Sequence, residues 1–361
     1  MSRQFTLFER GNIAILKELG YEVHCAANYS DATEALDELG IIRHHIDIQR
    51  SPFSPKQIKA FYQLKSLMKE KEFDLVHCHA PMGGLLGRVC AKITNTSPVL
   101  YTAHGFHFYK GAPLLNNLIY KTIERIMARF TDGLITINEE DFKAANKFKV
   151  RKNGKVYKVN GIGIDTNSIK KINVDKFEKK KELGIKNNEY VVLSIGEFIK
   201  RKNYETAIRA FAEANIKNTV FLICGCGELE ANLRLLVQEL NIEGKVIFAG
   251  YRKDIKEIVK ISDVFLFTSY QEGLPVSIME AMSAGNPIIA SDIRGNTDLV
   301  SNEVNGYLVD PNNKIGFKDA IINLLKNDDL RQKMGHENLK KIIDFDISNI
   351  KNTMKKIYTE F

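Results

Sequence analysis

The stretch VFLFTSYQEGLPVSIMEAMSAGNPIIASD, residues 264–292, reads as one strand–helix–strand unit. The runs at 264–269 and 287–292 are short, nearly continuously apolar and rich in β-branched and aromatic residues. That pattern belongs to strands covered on both faces of a parallel sheet. Between them Gly273 and Pro275 form an elbow. Val276, Met279 and Ala284 support a short helix with Pro275 in its first turn, where a missing N–H costs nothing, and Gly285 to end it. The elbow carries Glu272, and Glu280 follows about a turn and a half beyond Pro275. Two solvated carboxylates are the plain alternative. Carboxylates that each accept two hydrogen bonds also suit vicinal hydroxyl groups.

The same alternation runs outward in both directions. Strand-like runs fall at 22–27, 44–48, 74–79, 98–103, 133–138 and 155–160, and again at 190–196, 219–225, 245–250, 264–269, 287–292 and 306–309, with helical patterns between them. The lysine-rich segment 170–186 interrupts the series midway. The fold class is therefore α/β, with two doubly wound Rossmann-like domains rather than a barrel. The expected division is 1–165 and 166–345, with an amphipathic tail, 346–361, packing back on the first domain. Open α/β sheets bind ligands beyond the carboxyl ends of their strands, so the chemistry is expected in a cleft between the two domains. Residues 4–19 read as a helix with Phe5, Phe8, Ile13, Leu16 and Leu19 on one side. The core strand and phosphate-facing turn that usually precede such a helix are missing from this reading, which predicts an exposed sheet edge and reduced stability.

Composition narrows the class. At 361 residues, 44% hydrophobic and 27% charged, the chain resembles an ordinary soluble protein. No apolar run approaches a membrane span, and the charged start is unlike a secretory signal, so a cytoplasmic location is expected. Five cysteines without paired spacing argue against a disulfide framework. Residues 1–165 hold 23 Lys/Arg against 17 Asp/Glu, whereas 166–361 hold 29 against 27. A basic first half can attract phosphates or an anionic membrane surface. No nucleic-acid-binding motif accompanies it, so no nucleic-acid partner is expected.

Three further constellations sit at expected strand ends. In SIGEFIKRKN (194–203), Gly196 permits close backbone approach, and Lys200, Arg201 and Lys202 before a helix suit a diphosphate. In YTAHGFHFYKGAP (101–113), His104 directly follows a strand and can bond a sugar hydroxyl or phosphate. In VHCHAPMGG (76–84), His77 and His79 share one strand face; without a third ligand in view, His77 reads as packing and His79 as a loop contact. CGCGEL (224–229) is at most a loose phosphate turn. Ser/His/Asp, HExxH and P-loop patterns are absent, which removes hydrolase, zinc-protease and P-loop readings.

With these residues in place, YQEGLPVSIMEAMSAGNPIIASDIRGNTDLV…NGYLV resembles the donor-binding segment of family 4 (GT4) glycosyltransferases of the GT-B fold. HGFHFYKGAP and DLVHCHAPMGGLLGR resemble the bacterial subgroup that builds capsular and exopolysaccharides. The resemblance covers the chain from about residue 12. It implies a hexosyl- or N-acetylhexosaminyltransferase that moves a sugar from a nucleotide-diphosphate donor, by family habit a UDP-sugar, with retention and without a required metal or other cofactor. It implies that Glu280 binds ribose hydroxyls, that Glu272 with Gly273, Leu274 and Pro275 holds the donor sugar, that Lys202 and Arg201 beside Gly196 stabilise the diphosphate, and that His104 contacts the transferred sugar. Of these, His104, Glu272 and Lys202 are the catalytic candidates. The sequence departs from the family's Gly-Arg pair, placing Glu197 after Gly196. The implied acceptor is lipid-linked or a glycan, and the helical NNLIYKTIERIMARF (116–130) fits a peripheral contact with the inner membrane face, with ordinary core packing as its alternative. Competing functions are a sugar-nucleotide epimerase of GT-B fold and a truncated, non-catalytic nucleotide-sugar-binding protein.

Overall fold

A computed structural model describes residues 2–30, 39–49 and 51–361, and residues 2–8 by their backbone alone. The side chains of Phe5 and Phe8 therefore lie outside the described residues. The chain forms two units, Met1–Gly163 with Ile347–Phe361, and Ile164–Asp346.

Eleven of the twelve apolar runs contain a strand, and the run at 44–48 overlaps one that begins two residues earlier. In the first unit these are β1 (His24–Ala27), β2 (Ile42–His45), β3 (Val76–His79), β4 (Val99–Ala103), β5 (Gly133–Thr136) and β6 (Lys155–Lys158). In the second they are β7 (Tyr190–Ile195), β8 (Thr219–Cys224), β9 (Val246–Gly250), β10 (Val264–Phe267), β11 (Ile288–Ser291) and β12 (Gly306–Val309). Both units are Rossmann-like α/β assemblies with parallel strand pairing.

The second unit holds a six-stranded sheet in the order β12-β11-β10-β7-β8-β9, parallel throughout. From β7 the chain winds outward to β9, then returns past β7 and winds the other way from β10 to β12. The order reverses between β7 and β10, which makes the carboxyl ends of these two strands the topological switch point. Val191, Val192, Leu193, Phe265 and Leu266 are fully buried, as expected of strands covered on both faces. One face carries Val192, Phe221, Ile223, Leu266 and Ile289 against Ile208 and Phe211 of helix Tyr204–Ala214 and Phe317 and Ile321 of helix Lys314–Lys326. Each such side chain contributes about 1.5–3 kcal/mol of burial.

In the first unit β1 pairs with β2, while β3-β4-β5-β6 form a separate four-stranded parallel sheet. Among the described residues the first element is helix Ser2–Glu18. Alternate residues of β4 point to opposite faces. Val99, Tyr101 and Ala103 join Leu134, Phe106 and Phe148 on one side. Leu100, with Ile135 of β5, faces the C-terminal helix Ile347–Thr359, which delivers Ile350, Met354, Ile357 and Tyr358 at helical spacing. Ile15 of the first helix completes this core, and Lys355 pairs with Glu18 at 2.5 Å. The tail thus closes one face of a sheet formed far upstream in sequence.

Candidate active site

The two loops at the switch point meet through charged side chains. After β7 ends at Ile195, Gly196 leads into a loop whose Lys200–Lys202 segment makes one 3₁₀ turn before helix Tyr204–Ala214. Asn203 occupies the left-handed region (φ 53°), a conformation asparagine tolerates. Its amide donates to the carbonyls of Thr268 (3.0 Å) and Pro311 (3.1 Å), fixing this loop against the end of β10. The glycines of CGCG allow close approach to the backbone of the Gly196–Phe198 segment. A Cβ on Gly225 would sit 1.9 Å from the Gly196 carbonyl oxygen, and one on Gly227 would sit 2.6 Å from that of Phe198.

After β10, Glu272 is drawn inward to 9% exposure. Its Oε1 accepts from Arg201 Nη1 and from Lys202 Nζ, each at 2.8 Å. Arg201 also donates to the Gln271 carbonyl at 2.7 Å, and Lys202 Nζ lies 4.6 Å from the centre of the Phe267 ring. Burial pulls the Lys202 ammonium below its ordinary range, while Glu272 draws it back up. Buried Arg294, which the sequence reading did not single out, donates through Nε to the Glu272 carbonyl at 3.1 Å. Beside it Gly295 adopts φ 80°, and a Cβ there would lie 2.2 Å from the Gly273 carbonyl oxygen. The elbow therefore owes its shape to the 294–295 turn.

Helix Val276–Ser283 starts one residue later than the sequence predicts, with Pro275 extended just ahead of it as the cap residue. Its fixed φ and missing N–H are compatible with that boundary. Leu274 is buried at the mouth of the helix, and Gly285 (φ 80°) follows its end. Glu280 projects from the helix into a desolvated environment that pushes its carboxyl up to about 7, with Lys256 acting in the opposite direction. The switch point thus combines paired cations, a bridging carboxylate and, one helix on, a carboxylate poised to ionise near neutrality.

The first unit gathers a second cluster at the carboxyl ends of β3 and β4. His79 closes β3, and its Nδ1 lies 3.2 Å from Nε2 of His104, just beyond β4. The same Nδ1 lies 3.1 Å from Oε1 of Glu9, a 7%-exposed carboxylate on the first helix. Asn12 donates to the other oxygen, Oε2, at 3.3 Å. Burial raises Glu9 to about 7 and lowers His79 to about 3 and His104 to about 4. His77 packs with its ring centre 4.0 Å from that of His79, tilted by 43°, and bonds Tyr358 Oη (2.7 Å) and Thr102 Oγ1 (2.8 Å), which fits a packing role. The sequence reading saw no third group beside the two histidines, whereas the fold supplies Glu9 and His104. An acid at Glu9, in register with apolar Ile13 and Leu16, was the available signal.

A six-stranded doubly wound unit with this switch point, coupled to a second Rossmann-like unit, defines the GT-B architecture of glycosyltransferases. The HepE structure from Anabaena in complex with UDP and glucose shares it, with a TM-score of 0.80 over 98% of this chain and 96% of HepE at 19% identity. Residues 4–138 match the family model for glycosyl transferase 4-like domains, and residues 175–341 match that for glycosyl transferases group 1. The chain is 33% identical over 350 residues to EpsD of Bacillus subtilis, covering 96% of this chain and 91% of EpsD. It is 32% identical over 314 residues, 84% of this chain and 80% of the relative, to the UDP-Gal:alpha-D-GlcNAc-diphosphoundecaprenol alpha-1,3-galactosyltransferase of Escherichia coli. The chain belongs to the group 1, family 4 glycosyltransferases, and it is a glycosyltransferase.

Proposed function

We propose that this glycosyltransferase moves a hexosyl or N-acetylhexosaminyl group, with retention, from a UDP-sugar to a lipid-linked acceptor in surface-polysaccharide synthesis. The observation that carries the donor reading is the ion-paired trio Arg201, Lys202 and Glu272 at the switch point of the second unit's sheet. Two adjacent fixed cations offset the charge that develops on a departing diphosphate, and a desolvated setting strengthens that effect. In this reading they do so in place of a metal. Glu272, held by Arg294 and its two cations, accepts from donor-sugar hydroxyls, with Gly273, Leu274 and Pro275 shaping the elbow. Glu280 accepts from the ribose hydroxyls. His104, on the first unit, contacts the transferred sugar. The E. coli relative's UDP-galactose donor and diphosphoundecaprenol-linked acceptor support the choice of substrate class. Calorimetric titration with UDP tests the donor site. Binding of one UDP per chain that weakens at least tenfold in Arg201→Ala supports it, and equal affinity in the variant refutes it.

We further propose a peripheral membrane contact through helix Leu114–Met127, on the cytoplasmic face where the lipid-linked acceptor would be met. Core packing accounts for one side only, where Glu124 receives the buried Arg88 guanidinium at 2.9 Å and the Tyr101 hydroxyl at 3.1 Å. Leu114, Leu115, Leu118, Ile119, Ile123 and Ile126 are all exposed on the other side, bordered by exposed Lys121 and Arg125. An apolar helix face with a basic margin is the pattern of interfacial helices on anionic membranes.

A further inference from the structure

We propose that Glu9, His79 and His104 form a binding site for one first-row divalent cation, with Zn²⁺ the best match. The argument starts from a proton count. His79 Nδ1 approaches Glu9 Oε1 at 3.1 Å and His104 Nε2 at 3.2 Å. One ring nitrogen either donates its single proton or accepts, so Nδ1–H donated to the carboxylate cannot also accept from His104. A cation among the three groups satisfies all of them at once.

The geometry agrees. The three donor atoms all lie within 4.8 Å of one another. Ligands at about 2.0–2.1 Å in a tetrahedron stand roughly 3.3–3.4 Å apart, so both measured separations are near a coordination edge. Two imidazoles and one carboxylate suit a borderline ion such as Zn²⁺ and leave one position open. The surrounding groups fix the ligands. Asn12 holds Glu9 Oε2 and leaves Oε1 toward His79. His77, locked by Tyr358 and Thr102, packs against the His79 ring. Such outer partners commonly orient metal ligands. The ion would also tie helix Ser2–Glu18 to the ends of β3 and β4, three elements that the sequence keeps far apart.

This site belongs to the first unit and is distinct from the cations that serve the diphosphate. It takes His104 as a ligand, so a bound ion and the sugar contact proposed above compete for one imidazole. The test uses full-length protein freed of metal with a chelator and titrated with Co²⁺. The expected result is one Co²⁺ per chain with visible d–d absorption, displacement by Zn²⁺, and a higher melting temperature with Zn²⁺. Glu9→Gln and His79→Gln, checked for a melting transition in chelator like that of the parent, should each lose the absorption and the Zn²⁺-dependent shift. Absence of d–d bands in the parent overturns the proposal. So does binding that persists in both variants, at exposed Cys226 for instance.

Discussion

Replacing Glu280 by glutamine should stabilise the ligand-free protein at alkaline pH while impairing donor binding. The carboxyl is raised from 4.5 to about 7, chiefly by burial. Because the folded value exceeds the unfolded one, the stabilising contribution of the protonated form is complete below about 4.5 and is lost as pH rises through about 7. At pH 8 the ionised, buried side chain costs about 2–3 kcal/mol relative to a neutral one of the same shape. Glutamine removes that cost. With a melting response of about 2–4 °C per kcal/mol for a unit of this length, Glu280→Gln should melt on the order of 5–10 °C higher at pH 8. At pH 5 the difference should shrink to about 1 kcal/mol, on the order of 2–4 °C. A carboxylate that accepts hydroxyls contributes about 2 kcal/mol more than an amide, so UDP affinity should fall roughly thirtyfold in the variant. In the parent, donor affinity should weaken below pH 7, because a proton competes with the hydroxyls for the same oxygens. Differential scanning fluorimetry from pH 5 to 8, with and without UDP, reads all three effects. A melting difference that is equal at pH 5 and pH 8 would refute the burial argument. An undiminished UDP-induced shift in the variant would refute the ribose assignment.

Three other perturbations follow from the same geometry. Lys202→Ala should lower kcat by about 10²–10³ if its charge stabilises the leaving diphosphate, and steady-state kinetics with circular dichroism as a fold control measures it. Gly295→Ala forces a side chain into a left-handed backbone 2.2 Å from the Gly273 carbonyl oxygen. It should cost about 3 kcal/mol of stability and distort the Glu272 elbow, visible as a lower melting temperature together with a higher KM for the donor. Leu115→Glu with Leu118→Glu should leave the melting temperature within a degree or two, because both residues are exposed. It should nevertheless abolish sedimentation with anionic phospholipid vesicles; retained sedimentation would exclude this face as the contact.

Sequence and structure agree most closely where local chemistry dictates the backbone. Eleven of the twelve apolar runs contain strands, most of them because continuous β-branched and aromatic runs bury both faces. The helix after the elbow formed between Pro275 and Gly285 because the proline fixes φ at its start and the glycine permits the φ of 80° at its end. Strand limits shifted where only tertiary pairing sets them. The strand near the run at 44–48 spans Ile42–His45, two residues ahead of the expected start, while Ile46 and Ile48 continue as buried coil. Glu272, Arg201 and Lys202 were recognisable as residue types, but their shared hydrogen bonds depend on β7 and β10 being neighbours, a non-local fact. Arg294 and Gly225 were illegible for the same reason, since each acts on a backbone segment distant in sequence. Glu9 shows the limit most clearly. Its role emerges only when the first helix is laid across the ends of two strands some seventy to ninety-five residues downstream.

The central claim, sugar transfer from UDP to a lipid-linked acceptor, is tested most directly by UDP release measured over a panel of UDP-sugars with and without a diphosphoundecaprenol-linked sugar. The account predicts that at least one donor gives acceptor-dependent UDP release together with an acceptor lengthened by one α-linked residue. UDP release that is indifferent to acceptor, or interconversion of the UDP-sugar itself, would contradict it.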